Sequence, residues 1–228
     1  IHYLNGGDLR SGNSTRYAEL SYKYDSPFID AANVKYFIGI GRDKNGYTPG
    51  DLINYHFNEA GYNRVFSDKS TVILENPRAL PRVYFASSFK VVPESNLENI
   101  IMTDSSFDPR ITALLEKDLK IATTSGQGKA SVLSYTPNTV KIRTETENPE
   151  ILILADQYDE GWKAKVDEEE VPISPANYIF RAVKTPRGTH EVMFYYSPRS
   201  FERGVKISAI SFLIMLAASL ISIRKRTF

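Results

Sequence analysis

The sequence has no cysteine among its 228 residues, which excludes thiol catalysis, thiolate metal sites and a disulfide framework. Histidine is also scarce. His2, His56 and His190 lie far apart, and none has a second histidine or a carboxylate at the spacing of metal ligands. Charge of one sign is lacking too, since 28 Lys and Arg face 27 Asp and Glu. No overall field therefore attracts nucleic acid. We predict no metal, no cofactor and no nucleic-acid partner.

Two glycine motifs of nucleotide-binding proteins are incomplete. Residues 39–41 read Gly-Ile-Gly after a predicted strand, but the next glycine is Gly46, at the wrong spacing for a dinucleotide site. Gly128 precedes a lysine as in a phosphate-binding loop. Thr123, however, stands where that loop needs its first glycine, and Ala130 replaces the hydroxyl. Both patterns favour a role in chain turns.

The acidic residues do not form a recognisable catalytic set. Residues 156–167 loosely resemble a calcium loop, but Tyr158 occupies its third position and the segment favours a structural hairpin. Asp156, Asp159 and Glu160 are close enough for paired carboxylates of a glycoside hydrolase, although nothing singles them out. No Gly-x-Ser-x-Gly nucleophile motif is present. A soluble hydrolase is the weakest of the functions considered, and we assign no catalytic residue.

Short apolar segments separated by tight turns dominate residues 126–199. They have the alternation and the spacing of a sandwich of antiparallel strands, Ig-like or jelly-roll-like. The predicted strands are 130–136, 139–146, 150–156, 162–166, 170–174, 178–184 and 189–196.

A smaller α+β subdomain is predicted over residues 1–125, with the flexible sequence 125–128 as the joint. Its predicted strands are 33–40, 62–66, 70–75 and 82–92, after a polar, turn-rich start at 1–31. Apolar residues at three- and four-residue spacing predict helices over 95–102 and 111–119. The predicted fold is mainly β with some α, divided into 1–125, 126–199 and 200–226.

Residues 204–223 form the longest apolar stretch. As a helix they would be about 30 Å long, the thickness of the hydrocarbon core of a bilayer. Lys206 lies near one end, where its side chain can reach the interface, and the basic residues 224–226 follow at the other. A buried core helix is the alternative, but such helices are usually shorter and have a polar face. We predict a C-terminal transmembrane helix with the lipid bilayer as its partner.

Trp162 is the only tryptophan and lies among other aromatic residues. Exposed aromatic rings can stack on the apolar faces of sugars, so Trp162, Tyr158 and Tyr178 are candidate glycan contacts. The alternative for a single tryptophan in a β domain is packing against the core or a strand edge.

Several sequence blocks resemble the end of the YfhO family of bacterial membrane proteins. The most specific are residues 154–164 (LADQYDEGWKA), 175–181 (PANYIFR) and 186–192 (PRGTHEV), followed by 196–201 (YSPRSF). Residues 33–36 (NVKY) and 75–82 (ENPRALPR) resemble two further blocks upstream. The resemblance covers the chain from about residue 26 to its end.

The resemblance implies a multi-pass protein of the bacterial cell membrane, similar to glycosyltransferases of the C class that use polyprenyl-phosphate sugars. In that fold type the catalytic acidic residues lie in early loops between membrane helices, so none is carried over to this chain. We therefore expect an inactive fragment whose membrane helices precede residue 1. Its partners would be those helices, an envelope glycan or a polyprenyl-linked sugar.

The resemblance also implies an orientation. Residues 1–199 would be extracytoplasmic and the C-terminus cytoplasmic, whereas basic residues on both sides of the apolar stretch leave local charge undecided. On this interpretation the chain covers the active site or positions the acceptor polymer. The rival hypothesis is a non-catalytic surface protein with a single span, whose β domain binds envelope glycans.

Overall fold

The computed structural model describes residues 27–40, 61–68, 71–93, 95–97, 100 and 106–226. Side chains are described throughout these ranges except at 39–40, 202 and 218–226. The predicted polar start before residue 27 and the segment 41–60 lie outside the described residues, as do parts of the predicted helix 95–102. Of that helix, residues 95–97 and residue 100 are helical.

The described part of the chain is mainly β, as the sequence predicts. Its elements in chain order are α1 Pro27–Ala31, β1 Tyr36–Ile40, β2 Asn63–Ser67, β3 Thr71–Glu75, β4 Val83–Phe85, β5 Ser88–Val91, β6 Thr112–Leu115, β7 Lys129–Thr136, β8 Thr139–Thr146, β9 Glu150–Leu154, β10 Trp162–Val166, β11 Glu169–Val171, β12 Ser174–Ala176, β13 Phe180–Thr185, β14 Gly188–Tyr196 and α2 Arg199–Arg226.

The strands form three sheets. The smallest has the order β1-β3-β2, the second has five strands in the order β11-β10-β14-β8-β7, and the third has six in the order β4-β9-β13-β12-β6-β5. Every strand pair after residue 126 is antiparallel, whereas β5 and β6 upstream pair in parallel. The Ig-like or jelly-roll-like class of this arrangement stays a prediction.

The six-stranded sheet is a middle layer, as its strand β9 shows. Ile151 and Ile153 pack into a core on one face of the sheet, with α1. Leu152 and Leu154 point the other way, into a core shared with the five-stranded sheet. Alternate side chains of a strand lie on opposite faces, so a strand covered on both sides is apolar throughout.

Strands that face solvent on one side alternate instead. Along β8, Val140 and Ile142 are buried while Arg143 and Glu145 are exposed. This period of two is the signal that places β8 and most of its neighbours within one or two residues of the predicted bounds.

The helix predicted over 111–119 is wrong, because residues 112–115 form strand β6. Ala113, Leu114 and Leu115 are fully buried, and β6 pairs with β5 on one side and with β12 on the other. A short apolar run is ambiguous between helix and strand, and its place inside a sheet decides the outcome.

Both sides of the predicted boundary at residue 125 contribute to one sheet and one core. Strand β4 pairs with β9. The Phe28 ring in α1 stacks on Phe180 in β13, with 5.4 Å between ring centres. The division into 1–125 and 126–199 stays a prediction, and the described residues on its two sides are packed together.

The last strand continues into α2 after only two residues, and α2 is 28 residues long. Its large apolar side chains from Phe201 to Leu216 are exposed. Among the residues that the structure describes, no helix is long and apolar enough to cross a membrane. The described side chains of α2 end at Ala217, so the predicted span over 204–223 lies partly outside them and is not found within them.

Candidate functional site

An open cleft of about 390 Å³ lies at the end of the domain from which α2 emerges. We call it the Arg181 cleft. Its lining residues are Pro137, Asn138, Gln157, Asp159, Trp162, Arg181 and Tyr196. Tyr196 ends β14, three positions before α2 begins, so the cleft lies close along the chain to the start of the helix.

Arg181 reaches the cleft from the middle sheet. In β13 its neighbours Phe180 and Ala182 point into the core beside α1, so Arg181 points toward the five-stranded sheet. Only 4 % of the residue is exposed. Its Nε and Nη2 donate hydrogen bonds of 3.0 Å and 2.8 Å to the carbonyl oxygen of Gln157. The remaining nitrogen, Nη1, is buried and has no hydrogen-bond partner in the described part of the chain.

Burial lowers the pKa of Arg181 below its usual value, because a charged group loses hydration in the interior. The carboxylates of Asp156 and Asp159 act in the opposite direction. An arginine stays protonated even so, since its ordinary pKa is above about 12. The cleft therefore contains a permanent cation whose charge is balanced by neighbouring carboxylates.

The guanidinium also covers one face of the indole. Its central carbon lies 3.6 Å from the centre of the Trp162 ring. On the paired strand, Tyr196 is the partner of Trp162, with 5.3 Å between ring centres and a tilt of 55°. Planar cations and aromatic rings attract each other in this arrangement. The tryptophan is thus held between two strands and a buried cation.

Gly161 makes this packing possible. A Cβ atom there would lie 2.6 Å from Cε2 of Tyr196 and 2.9 Å from Oδ1 of Asp159. The backbone nitrogen of Gly161 also donates a 2.8 Å hydrogen bond to that Asp159 oxygen. Glycine is needed here for the close approach of Tyr196.

The structure brings two of the three predicted glycan contacts together. Tyr158 and Trp162 both pack against the core between the two large sheets, as the alternative for a single tryptophan expects. They also line a second, adjacent cleft of about 260 Å³. Tyr178 is 45 % exposed in the turn between β12 and β13 and lines neither cleft. Sugar contact by these residues stays a prediction.

Sequence reasoning missed Arg181, Gln157 and Asn138 as parts of a site. Gln157 and Asn138 give no signal, because exposed amides in turns are common. Arg181 gives one: it is a charged residue inside a buried, otherwise apolar strand. Such residues are almost never fully buried without partners.

Two of the three carboxylates considered for hydrolysis, Asp156 and Asp159, are already engaged. Asp156 accepts a 3.2 Å hydrogen bond from the Tyr135 hydroxyl and lies 3.7 Å from Nε of Arg82. Asp159 holds the backbone of Gly161. These contacts stabilise the loop between β9 and β10.

The other charged clusters have structural partners. His190 Nδ1 contacts the carboxylate of Asp167, and its Nε2 lies 2.8 Å from the carbonyl of Arg187. These contacts hold His190 against the turns on either side of it, while His2 and His56 lie outside the described residues. The described residues contain no group of three His, Asp or Glu side chains that could hold a metal ion.

A further cavity of about 360 Å³ lies beside Glu150, away from the two clefts at Trp162. Glu150 is 2 % exposed, and its carboxylate accepts hydrogen bonds from both the backbone and the hydroxyl of Ser125. Burial alone would raise the pKa of Glu150, but these bonds and those from Thr124 and Gly126 lower it below its usual value. The carboxylate closes the loop before β7 by accepting four hydrogen bonds from residues 124–126.

The fold and the cleft define a mainly β domain of two facing sheets that runs directly into a long helix. Residues 105–208 match the family described as "Bacterial membrane protein YfhO", so the chain contains a YfhO-family domain. No curated protein and no solved structure matches the chain.

Proposed function

We propose that this chain is the extracytoplasmic C-terminal region of a multi-pass bacterial membrane glycosyltransferase. The parent protein would take sugars from polyprenyl-phosphate donors and transfer them to a cell-envelope polymer. The β domain would position that acceptor, or cover the active site, at the outer membrane surface. Catalytic groups would lie in the membrane part, so this chain alone would be inactive.

One observation supports this proposal above the others. Tyr196 of the Arg181 cleft lies three positions before α2, whose apolar side chains are exposed. If α2 crosses the membrane, as its sequence from Gly204 to Ile223 favours, the cleft faces the outer bilayer surface, where a lipid-linked sugar is presented. The match to a bacterial membrane protein family supports the same location.

The orientation can be measured because the chain has no cysteine of its own. Single cysteines would be introduced by Ser131→Cys on the exposed face of β7 and by Thr227→Cys at the C-terminus. A maleimide that cannot cross membranes should label the first in intact cells, and the second only after permeabilisation. Labelling of the C-terminal cysteine in intact cells would contradict the proposal.

The activity is tested in the parent protein. The gene sequence upstream of Ile1 should encode a series of hydrophobic spans. Membrane vesicles with the parent should then transfer labelled sugar from a polyprenyl phosphate to the polymer, and this chain alone should not. Transfer by this chain alone would show that the catalytic groups lie within it.

The second candidate is a surface protein with one span that binds envelope glycans without catalysis. The polar and aromatic lining of the Arg181 cleft is compatible with sugar, and it favours this surface protein as much as it favours an acceptor site of a transferase. An upstream sequence that encodes one leader and no membrane spans would select this alternative.

A further inference from the structure

Arg181 is a buried cation with an unused donor. Only 4 % of the residue is exposed, and Nη1 has no hydrogen-bond partner in the described part of the chain. A buried donor without a partner costs about 1–3 kcal/mol. Its other two nitrogens, Nε and Nη2, hold the Gln157 carbonyl, so the group is fixed in place with the N–H groups of Nη1 left for an acceptor.

The charge around this donor favours a neutral acceptor. Asp159 lines the cleft, and Asp156 lies close enough to act on Arg181. An anionic ligand would meet the carboxylate of Asp159 in the same cleft. A hydroxyl group can instead accept from Nη1 without a change in net charge, and it can donate to a remaining lone pair of Asp159, which already accepts from Gly161 and Tyr196.

The rest of the lining has the chemistry of a polyol site. Asn138 and Gln157 are exposed side chains whose amides each provide donors and an acceptor. Tyr196 adds a hydroxyl and an aromatic ring that is 39 % exposed. The volume of about 390 Å³ falls in the usual range for small-molecule sites, about 300–1,000 Å³.

We propose that the Arg181 cleft binds one neutral sugar residue of a glycan, with Nη1 of Arg181 donating to a sugar hydroxyl. The inference deepens the proposed function, on which it rests for the identity of the polymer. Because the guanidinium covers one face of Trp162, hydrogen bonds provide more of the recognition than stacking on that face. Since Nη1 is covered in the structure, a side chain of the cleft must move when the sugar enters.

Trp162 makes the binding directly measurable. It is the only tryptophan of the chain, so the protein's tryptophan fluorescence reports on this cleft and on the adjacent one that Trp162 also lines, and the variants below distinguish the two. The whole chain in detergent would be titrated with glucose, galactose and N-acetylglucosamine, and separately with glucose 1-phosphate and inorganic phosphate. We expect a saturable change with at least one neutral sugar and none with inorganic phosphate.

Variants locate the site. Asn138→Ala and Gln157→Ala should each weaken sugar binding about fivefold, the loss typical of one neutral hydrogen bond. The matched control is Asn148→Ala, an exposed asparagine in the turn before β9, which should leave the affinity unchanged. Arg181→Lys should abolish binding, and the two amide variants decide the question if that protein does not fold.

Three results would overturn the inference. They are saturation by phosphate alone, no saturation by any probe, and sugar binding that neither amide variant weakens. The outcomes separate this inference from the function it rests on. If the parent transfers sugar but the cleft binds none, the proposed sugar site is wrong and the proposed function stands. If the cleft binds sugar but the protein has only one span, the proposed transferase function is wrong and the sugar site stands.

Discussion

The guanidinium of Arg181 stacks on the indole of Trp162 at 3.6 Å while two of its nitrogens hold the carbonyl of Gln157. This contact ties three elements together: β13 of the middle sheet, β10 of the outer sheet and the loop between β9 and β10. The same side chain thus provides a structural link and the unpaired donor of the cleft.

Arg181→Lys should lower the free energy of unfolding by about 2 kcal/mol. A lysine keeps the charge but cannot stack as a plane or give two hydrogen bonds in a fixed fork. Urea unfolding followed by circular dichroism measures the difference. Arg143→Lys on the exposed face of β8 is the control, with a change below about 0.5 kcal/mol; equal effects would show that the Trp162 contact is not stabilising.

Asp30→Asn should destabilise the protein by about 3 kcal/mol. Its buried carboxylate lies 3.2 Å from Nε of Arg78 and 3.1 Å from Nη1 of Arg110, and it accepts a 2.8 Å hydrogen bond from Asn76. Removing the charge takes a buried carboxylate away from two partly buried cations, of which Arg110 keeps Asp108 as a counter-ion at 2.6 Å.

The control for Asp30→Asn is Asp118→Asn, because Asp118 pairs with Lys120 on the exposed surface at 2.9 Å. Exposed pairs contribute little, so this variant should change stability by less than about 0.5 kcal/mol. The midpoint of thermal unfolding should therefore be clearly lower for Asp30→Asn than for Asp118→Asn. Equal midpoints would contradict the role of Asp30 in holding α1.

The pair of His190 and Asp167 should make stability depend on pH. The Asp167 carboxylate and the Arg187 carbonyl raise the pKa of His190 above its usual value, and the His190 contact lowers that of Asp167. The histidine contribution is therefore complete below its unfolded pKa of about 6.5 and is lost as the pH rises through the folded value. The aspartate contribution is present above about pH 4 and is lost as the pH falls.

Unfolding midpoints measured between pH 3 and 9 test this dependence. The wild type should be stabilised most between the two transitions, whereas His190→Gln should lose the decline on the alkaline side. If the unfolding midpoint of His190→Gln fell as steeply with rising pH as that of the wild type, the alkaline transition would belong to another group.

Glu168→Gly should raise stability by about 1 kcal/mol. Asp167 and Glu168 connect β10 to β11 with φ values of 48° and 73°, in the left-handed region that favours glycine. Glu168→Ala is the control, because it removes the exposed contact with Lys165 and keeps a Cβ in the same conformation. If both variants had the same midpoint, backbone strain at this turn would be excluded.

That turn shows what a sequence conceals. Two-residue hairpin turns commonly contain Asp-Gly, whereas residues 167–170 are an acidic run that does not indicate the turn type. Both turn residues nevertheless adopt the left-handed conformation. The strand pairing on either side imposes it, since β10 and β11 pair Val166 with Glu169 directly across the turn. Residues with a side chain disfavour this conformation, but the pairing of the two strands stabilises the fold by more than the two strained turn residues cost.

Most strands after residue 126 can be predicted from the sequence, since alternation along strands such as β8 reflects a sheet with one solvent face. The strand predicted over 170–174 is wrong, because the structure has two strands there, β11 and β12, in different sheets. The lack of cysteine excludes thiol chemistry, and the C-terminal run from residue 204 indicates the long helix α2. Only the tertiary structure decided that residues 112–115 are a strand, because their burial between β5 and β12 favours a sheet over a helix. Only the tertiary structure placed Arg181 against Trp162, because that contact joins strands that are distant in the chain and are brought together by the facing of two sheets.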